Sequence, residues 1–234
     1  MFFESLVEEW QNRQDTNNIN IEEGEAKERY STVMSCAYHL HMAGGRYHEK
    51  SFSYNRGLAE FAVQRGELDV AERCYKRAID DAKYLGRVQN EMECLFGMTT
   101  NVYLVWGRYE ESLSNLQSLL KYSDKVNDRE MRASALNGIA LIHDRKGEDE
   151  QAIGLYNQSL EIAREIGDHA GIANALNNIA GIHGGKGKYE QALKLYNQSL
   201  EIARELGDER KAAVTLRRSG SIPQQCNQRT ILSA

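Results

Sequence analysis

The most constraining feature of the sequence is an internal repeat with a period of 40 residues. Residues 135 to 174 align with residues 175 to 214 at a shift of 40, and 26 of the 40 positions are identical, including the string LYNQSLEIARE. Duplication at a fixed period of this length is typical of repeat architectures, in which each unit packs only on its neighbours. The chain is therefore predicted to fold as a stack of similar units.

Two series of glycines extend the period beyond the region of high identity. The first series is Gly24, Gly66, Gly107, Gly147 and Gly187, and the second is Gly45, Gly86, Asn127, Gly167 and Gly207. Glycine, and asparagine next best, tolerates the left-handed conformation that ends a helix. Because the two series interleave, each unit is predicted to contain two helices. Asp128, Asp168 and Asp208 follow the second series and are predicted to cap the next helix.

The residues between the glycines follow helical spacing. In the last regular unit, apolar and small residues recur every three or four positions: Ala192, Leu193, Tyr196, Ser199, Leu200, Ala203 and Leu206. The chain contains one proline in 234 residues, where average usage would give about twelve. Each helix has one stripe to bury, and stacked pairs would bury a continuous core. These features predict an all-α fold, an α-solenoid of antiparallel helix pairs.

The period divides the chain into seven segments. We predict a degenerate N-terminal repeat or cap at 1–45, four repeats at 46–86, 87–127, 128–167 and 168–207, a truncated repeat or capping helix at 208–222, and a disordered tail at 223–234. An apolar edge around Leu200, Ala203 and Leu206 is expected to stay partly uncovered. This edge suggests a homodimer, or attachment to a longer chain.

The spacing inside the units resembles the tetratricopeptide pattern. In the unit 168–207 the matching residues are Leu176, Ile179, Ala180, His183, Gly187, Tyr189, Ala192, Tyr196 and Ser199. The 40-residue units, with LNNIA in the first helix and SLEIARELGD closing the second, resemble the extended arrays of kinesin light chains, of spindle adaptors of the LGN type and of bacterial signalling proteins. The resemblance implies a right-handed superhelix whose concave wall is lined by the first helix of each pair.

The resemblance also implies which residues line a peptide-binding groove. They are Arg56, Glu60, Gln64, Asn101, Asn137, Asp144, Arg145, Asn174 and Asn177. A carboxamide is both donor and acceptor, so recurring asparagines can bind a peptide backbone, and Arg56, Arg145 and Arg217 are candidates for holding a carboxylate. Gly181, Gly184 and Gly185 also face this wall, and they indicate either a close approach of the partner or a frayed helix end.

These observations predict a non-catalytic scaffold that binds a peptide or helix of another protein. The alternative is a sensor or regulatory module of a signalling protein, in which ligand binding tightens the array. Cys36, His39, His41 and His48 lie near one another but complete no four-ligand set, and no phosphate loop or activated nucleophile is present. We therefore expect no metal, no cofactor and no enzymatic activity.

Net charge and cysteine usage indicate which classes of partner and which cell compartment to expect. The chain has 29 Lys and Arg against 34 Asp and Glu, a net charge of −5, which argues against nucleic-acid and anionic-membrane partners. Basic residues after Arg210 are too dispersed to form a phosphate-binding patch. Four cysteines without CxxC spacing fit reduced thiols, and the start MFFESLVEEW has no signal-peptide pattern. The expected location is the cytoplasm.

Overall fold

The computed structural model describes residues 23–222, and this part of the chain is helical nearly throughout. In chain order the elements are α1 Glu23–Ala43, a short 3-10 helix Gly45–Tyr47, α2 His48–Arg65, α3 Leu68–Tyr84, α4 Val88–Met98, a π-helical turn Thr99–Tyr103, α5 Tyr109–Val126, α6 Arg129–Arg145, α7 Asp149–Ile166, α8 His169–Gly185, α9 Tyr189–Glu205 and α10 Glu209–Gly220. The predicted all-α fold of antiparallel helix pairs is confirmed. Residues 1–22 of the predicted N-terminal repeat or cap at 1–45, and the predicted tail at 223–234, lie outside the described residues.

The helices end where the two glycine series predict, with one exception. Nine of the ten positions have φ between 54° and 77°, and Asn127, with φ 55°, is among them. Gly24 was predicted to end a helix, and this prediction is wrong, because Gly24 lies in the first turn of α1. Glycine permits a left-handed helix end without imposing one, and the residues after Gly24, EAKER, are mostly strong helix formers.

The three predicted aspartate caps are present. The carboxylates of Asp128, Asp168 and Asp208 each accept a hydrogen bond of 2.9 Å from the backbone N–H three residues later. An N-cap bond of this kind contributes about 1 kcal/mol to stability. The start of α6, α8 and α10 is therefore fixed by local chemistry.

The chain divides into two compact units, residues 1–105 and 106–234. In the first unit, α2 and α3 form a tight pair whose crossing surfaces carry fully buried alanines, and α1 packs on α2 through the buried Ala37. A buried polar cluster also joins these helices. The Asp81 carboxylate, fully buried, contacts Nδ1 of His41 at 3.0 Å and Nδ1 of His48 at 2.6 Å, and it accepts a hydrogen bond from the Ser51 hydroxyl.

In the second unit, helices α5 to α10 pack in sequence, each on the next. Two contacts recur at the 40-residue shift. The hydroxyl of Ser159 donates to the carbonyl of Ala133, and Ser199 donates to Ala173, both at 2.8 Å. Between repeats, the ammonium group of Lys146 lies 2.9 Å from Glu110. Lys186 repeats this contact with Glu150 at 2.7 Å, so duplication of the sequence has duplicated the packing.

The edge at the end of the last regular repeat is smaller than the sequence predicts. Ala203 is fully buried and Leu200 is 9% exposed, because α10 packs against α9. Leu206 and Leu216 are each 48% exposed. Within residues 189–222, the large apolar side chains that remain exposed are therefore these two leucines. No helix within residues 23–222 is long and apolar enough to cross a membrane.

Candidate functional site

Three asparagines lie on the first helices of the two best-preserved repeats, and two of them are in contact. We call Asn137 of α6 and Asn177 and Asn178 of α8 the asparagine cluster. The Nδ2 group of Asn178 donates to Oδ1 of Asn137 at 3.4 Å. The Oδ1 atom of Asn177 is buried and has no hydrogen-bond partner among the described residues. The cluster thus holds one amide contact and one buried acceptor without a partner among the described residues.

A buried tyrosine lies close to the same helices. Tyr156 of α7 is fully buried, and within the described part of the chain its hydroxyl has no hydrogen-bond partner. Burial raises the pKa of Tyr156, the Asp144 carboxylate raises it further, and the charges of Arg218 and Arg145 oppose this rise. The hydroxyl is therefore within electrostatic range of side chains from both α6 and α10, and it is a second unsatisfied group.

An open space beside α8 brings a guanidinium and a hydroxyl together. A methyl group added at Gly181 would lie 3.6 Å from the Tyr196 hydroxyl and 4.0 Å from Nη1 of Arg218. We call Gly181, Tyr196 and Arg218 the arginine notch. Among the described residues, no carboxylate lies within 4.0 Å of Arg218. The notch thus presents a positive charge and a hydroxyl that can donate.

The other residues predicted on this wall are placed as follows. Asp144 is partly buried, and burial, followed by the charge of Asp149, raises its pKa. Arg145 and Asn174 are exposed. The helix α8 continues through Gly185, so the glycines at its end lie in regular helix. An added methyl group would meet nothing within 4 Å at Gly185, and at Gly184 it would lie 3.8 Å from Ala192.

In the first unit, Asn101 lies in an irregular turn. The π-helical turn Thr99–Tyr103 follows α4, where the hydroxyls of Thr99 and Thr100 bond to carbonyls four residues earlier, at 2.7 Å and 2.9 Å. Such back-bonding perturbs helices, and single π turns are frequent at functional sites. The exposed Asn101 side chain bonds to the buried Tyr75 hydroxyl. The Asn101 amide therefore already has one intramolecular partner.

Arg56 is also occupied within the protein. Its guanidinium lies 3.3 Å from Glu60 and 3.0 Å from Glu93. Gln64, about two turns after Arg56 on the same helix, is exposed.

Sequence reasoning missed Asn178 and Arg218. It selected the neighbouring residues Asn177 and Arg217. Successive side chains on a helix point about 100° apart, so a shift by one position selects a side chain that faces a different neighbour. A signal was present in the repeat, because positions 97, 138, 178 and 218 are equivalent and carry Gly, Gly, Asn and Arg. A methyl group at Gly138 would lie 2.9 Å from Leu116, so this position faces the preceding second helix.

Histidines and cysteines form no further site in the described residues. Of the four residues considered for metal binding, His41 and His48 meet at Asp81, and no group of three potential ligands within residues 23–222 could hold a metal ion.

His143 and His183, which occupy equivalent positions of consecutive repeats, differ in their surroundings. His143 contacts Glu148, whereas burial and the nearby Lys188 lower the pKa of His183.

Comparison with known proteins identifies the repeat. The sequence model of the tetratricopeptide repeat matches residues 101–165, 132–205 and 171–222, which together span 101–222. No curated protein matches the chain in sequence.

Solved structures are similar in fold at low sequence identity. Aspartyl phosphate phosphatase F from Bacillus subtilis is 16% identical with a TM-score of 0.72, over 89% of this chain and 53% of its own length. A putative kinesin light chain from Podosopora anserina is 15% identical with a TM-score of 0.63, over 88% and 96%. A signal transduction ATPase with a tetratricopeptide repeat sensor, from Pyrococcus horikoshii, is 15% identical with a TM-score of 0.54, over 83% and 32%. The chain thus spans about half of the phosphatase and a third of the ATPase.

Proposed function

The chain belongs to the tetratricopeptide repeat family, and on this premise we propose that it is a non-catalytic scaffold that binds a peptide or helical segment of another protein. The binding surface in the second unit is the asparagine cluster and the first-helix residues around it. The observation that carries the proposal is the buried, unpartnered Oδ1 atom of Asn177. A buried acceptor without a partner costs about 1–3 kcal/mol, and a rotation of the amide toward the groove would let a backbone N–H of a partner remove this cost.

The chemistry of the cluster fits a peptide backbone. A backbone presents N–H donors and C=O acceptors, and a carboxamide can meet both. The Asn178–Asn137 contact is long, at 3.4 Å, so it can be exchanged for shorter bonds to a partner. Because such contacts do not read side chains, specificity must come from the neighbouring charged residues Asp144 and Arg145, from the polar Asn174, or from the arginine notch.

The proposal can be tested with peptides selected from a displayed library on the purified chain. We expect Asn177→Ala and Asn137→Ala each to weaken binding about tenfold, since each removes a hydrogen bond worth about 1 kcal/mol and leaves a peptide group unpaired. Asn157→Ala and Asn197→Ala are matched controls, because these exposed asparagines lie on the second helices α7 and α9. Equal dissociation constants for all four variants and the unchanged chain would reject the site.

In the first unit, we propose that Asn101, Glu60 and Gln64 contact the same class of partner. Arg56 would take part only by exchanging Glu60 or Glu93 for a ligand carboxylate. The variant Glu93→Gln should then strengthen binding of acidic peptides, because it removes one competitor for the guanidinium. Unchanged affinity would place Arg56 outside the site.

A sensor module is a second candidate, supported by the fold similarity to a protein described as carrying a tetratricopeptide repeat sensor. Small-angle X-ray scattering separates the two candidates. A decrease in radius of gyration on addition of a selected peptide favours the sensor, and an unchanged radius favours the rigid scaffold.

A homodimer through the exposed leucines is a further proposal for the C-terminal edge. Leu206 and Leu216 are the apolar residues that would be covered. Light scattering should show a dimer that the double variant Leu206→Glu, Leu216→Glu converts to a monomer. A monomer before substitution removes this proposal.

A further inference from the structure

The helix α10 ends earlier than its equivalent in the preceding repeat. At the 40-residue shift, Ser221 and Ile222 correspond to Gly181 and Ile182, which lie inside α8. The helix α8 continues beyond these positions, whereas α10 ends at Gly220. Ser221 is exposed and forms the C-cap of α10. A serine hydroxyl is therefore presented at a helix end, where the preceding repeat has regular helix.

The backbone at the end of α10 is held by long hydrogen bonds. The N–H of Ser221 is shared between the carbonyls of Arg217 and Arg218, at 3.2 Å and 3.3 Å. The N–H of Ile222 donates to the carbonyl of Ser219 at 3.2 Å. These distances are at or beyond the upper end of the usual range for N–H···O bonds. The last turn of α10 can therefore open at low cost, as helix ends commonly do.

One apolar side chain opposes this opening. Ile222 is 6% exposed, and it belongs to one buried cluster with Ala180 of α8 and with Ala192, Leu193 and Tyr196 of α9. We call this packing of Ile222 the isoleucine latch. Because the latch follows Ser221 directly in the chain, a change at Ser221 that unwinds the last turn also pulls on the latch.

A phosphate on Ser221 would unwind this turn. The Ser221 hydroxyl donates to the carbonyl of Arg218 at 2.6 Å, and this carbonyl is among the last four of the helix, which carry its negative dipole end. A phosphate ester has lost the hydroxyl proton and adds a charge of about −1.5 to −2. The lost hydrogen bond alone shifts the equilibrium about fivefold, and repulsion by the dipole acts in the same direction. Exposed ion pairs with Arg217 and Arg218 would recover fivefold at most, roughly.

The sequence around Ser221 has the charge pattern of a serine-kinase substrate. Arg218 lies three residues before Ser221, Leu216 lies five residues before it, and Ile222 follows directly. Kinases select substrates by such patterns, and arginine-directed serine kinases hold an arginine three residues before the serine. Arg218 is exposed, and Leu216 is 48% exposed. Both side chains are accessible to an enzyme before the helix end opens.

We propose that Ser221 is the phosphorylation site of an arginine-directed serine kinase, and that the phosphate opens the isoleucine latch. In the transfer, Oγ of Ser221 forms a bond to the γ-phosphorus of ATP, the bond from this phosphorus to the leaving oxygen of ADP breaks, and the hydroxyl proton passes to the base of the kinase. Opening the latch uncovers the apolar cluster on α8 and α9. The proposal goes beyond the peptide groove and does not depend on it.

The first experiment locates the phosphate. The full chain is incubated with ATP and the catalytic subunit of cyclic-AMP-dependent protein kinase, an arginine-directed enzyme, and fragment-ion mass spectrometry assigns the modified residue. We expect phosphate on Ser221 and its loss in Ser221→Ala. Ser219→Ala is the matched control and should leave modification of Ser221 unchanged, since residue 216 is a leucine and Ser219 thus has no arginine three residues before it. Absence of phosphate from Ser221 overturns the proposal.

Two charge-matched variants test how the kinase reads the site. Arg218→Gln should lower kcat/KM for modification of Ser221 about tenfold, because it removes one charge-assisted contact with the enzyme. Arg217→Gln removes the same charge one position earlier and should leave kcat/KM within about twofold. Equal losses for the two variants would show attraction by net charge alone and overturn the site.

The second experiment follows the latch in the phosphorylated chain. With 13C-labelled isoleucine methyl groups, the NMR signal of Ile222 should move to the position of an exposed isoleucine and lose its contacts with the side chains of its cluster. Amide exchange in the last turn of α10 should become about tenfold faster. Ile222→Ala should give the same faster exchange without phosphate, and circular dichroism checks that this variant stays folded. An unchanged Ile222 signal in chains phosphorylated at Ser221 overturns the latch.

Discussion

Replacing Tyr156 by phenylalanine should stabilise the free protein. The Tyr156 side chain is fully buried, and its hydroxyl has no hydrogen-bond partner among the described residues. A buried hydroxyl without a partner costs about 1–3 kcal/mol, because it has lost its bonds to water. Phenylalanine keeps the ring and its packing, and it leaves a void of one oxygen atom. We therefore expect a gain of about 1 kcal/mol.

Tyr75 provides the matched control. It is also buried on a second helix, at the equivalent position of its repeat, but its hydroxyl is bonded to Asn101. Tyr75→Phe removes that bond and should lower stability by about 1 kcal/mol. The two substitutions delete the same atom, so opposite signs can arise only from the surroundings of the hydroxyl.

Urea unfolding followed by circular dichroism measures both effects through the midpoint, provided that the slope is unchanged. A loss of 1 kcal/mol or more for Tyr156→Phe would refute the reasoning, since it would mean that the hydroxyl is satisfied in the free protein. A neutral result would indicate that the void offsets the relief of desolvation.

Three further predictions concern caps, acidity and thiols. Asp168→Ala should destabilise the protein by about 1 kcal/mol and speed amide exchange in the first turn of α8, and unchanged exchange would contradict this. Burial raises the pKa of Asp144, so its charged form destabilises the fold above that pKa, and the cost disappears as the pH falls through it. Asp144→Asn should therefore raise the urea midpoint at pH 7 and have no effect below the ordinary pKa of 3.8. Burial raises the pKa of Cys74 to about 11 and of Cys94 to about 12, so both should resist alkylation at pH 8 until the chain unfolds. The partly exposed Cys36 should react before these two, and peptide mass spectrometry measures the order.

The sequence predicts those parts of the fold that depend on neighbours along the chain. The left-handed φ of Asn127 and the cap at Asp168 each follow from residues within a few positions. Gly24 shows the limit of this logic, because a permissive residue is free to start a helix as well as to end one. The exposed edge was overestimated for a related reason, since the sequence alone does not show that α10 covers Leu200.

The candidate site depends on contacts that no local rule supplies. Whether position 177 or 178 meets Asn137 is decided by a helix rotation of about 100°, and the repeat alignment treats both positions alike. The meeting of His41 and His48 at Asp81 joins residues that are up to 40 positions apart. Such convergence of distant residues is visible only in the packed structure. For this reason the residues predicted from the sequence lie near the arginine notch but do not include Arg218.

The recurring contacts of the second unit have a consequence for how such a gene can change. The Ser159 and Ser199 bonds each reach back 26 positions, and the Lys146 and Lys186 ion pairs each reach back 36 positions. An in-frame copy of 40 codons would therefore arrive with every partner already at the correct offset. Unequal recombination could lengthen or shorten this protein by whole modules, with no compensating substitutions at the junction.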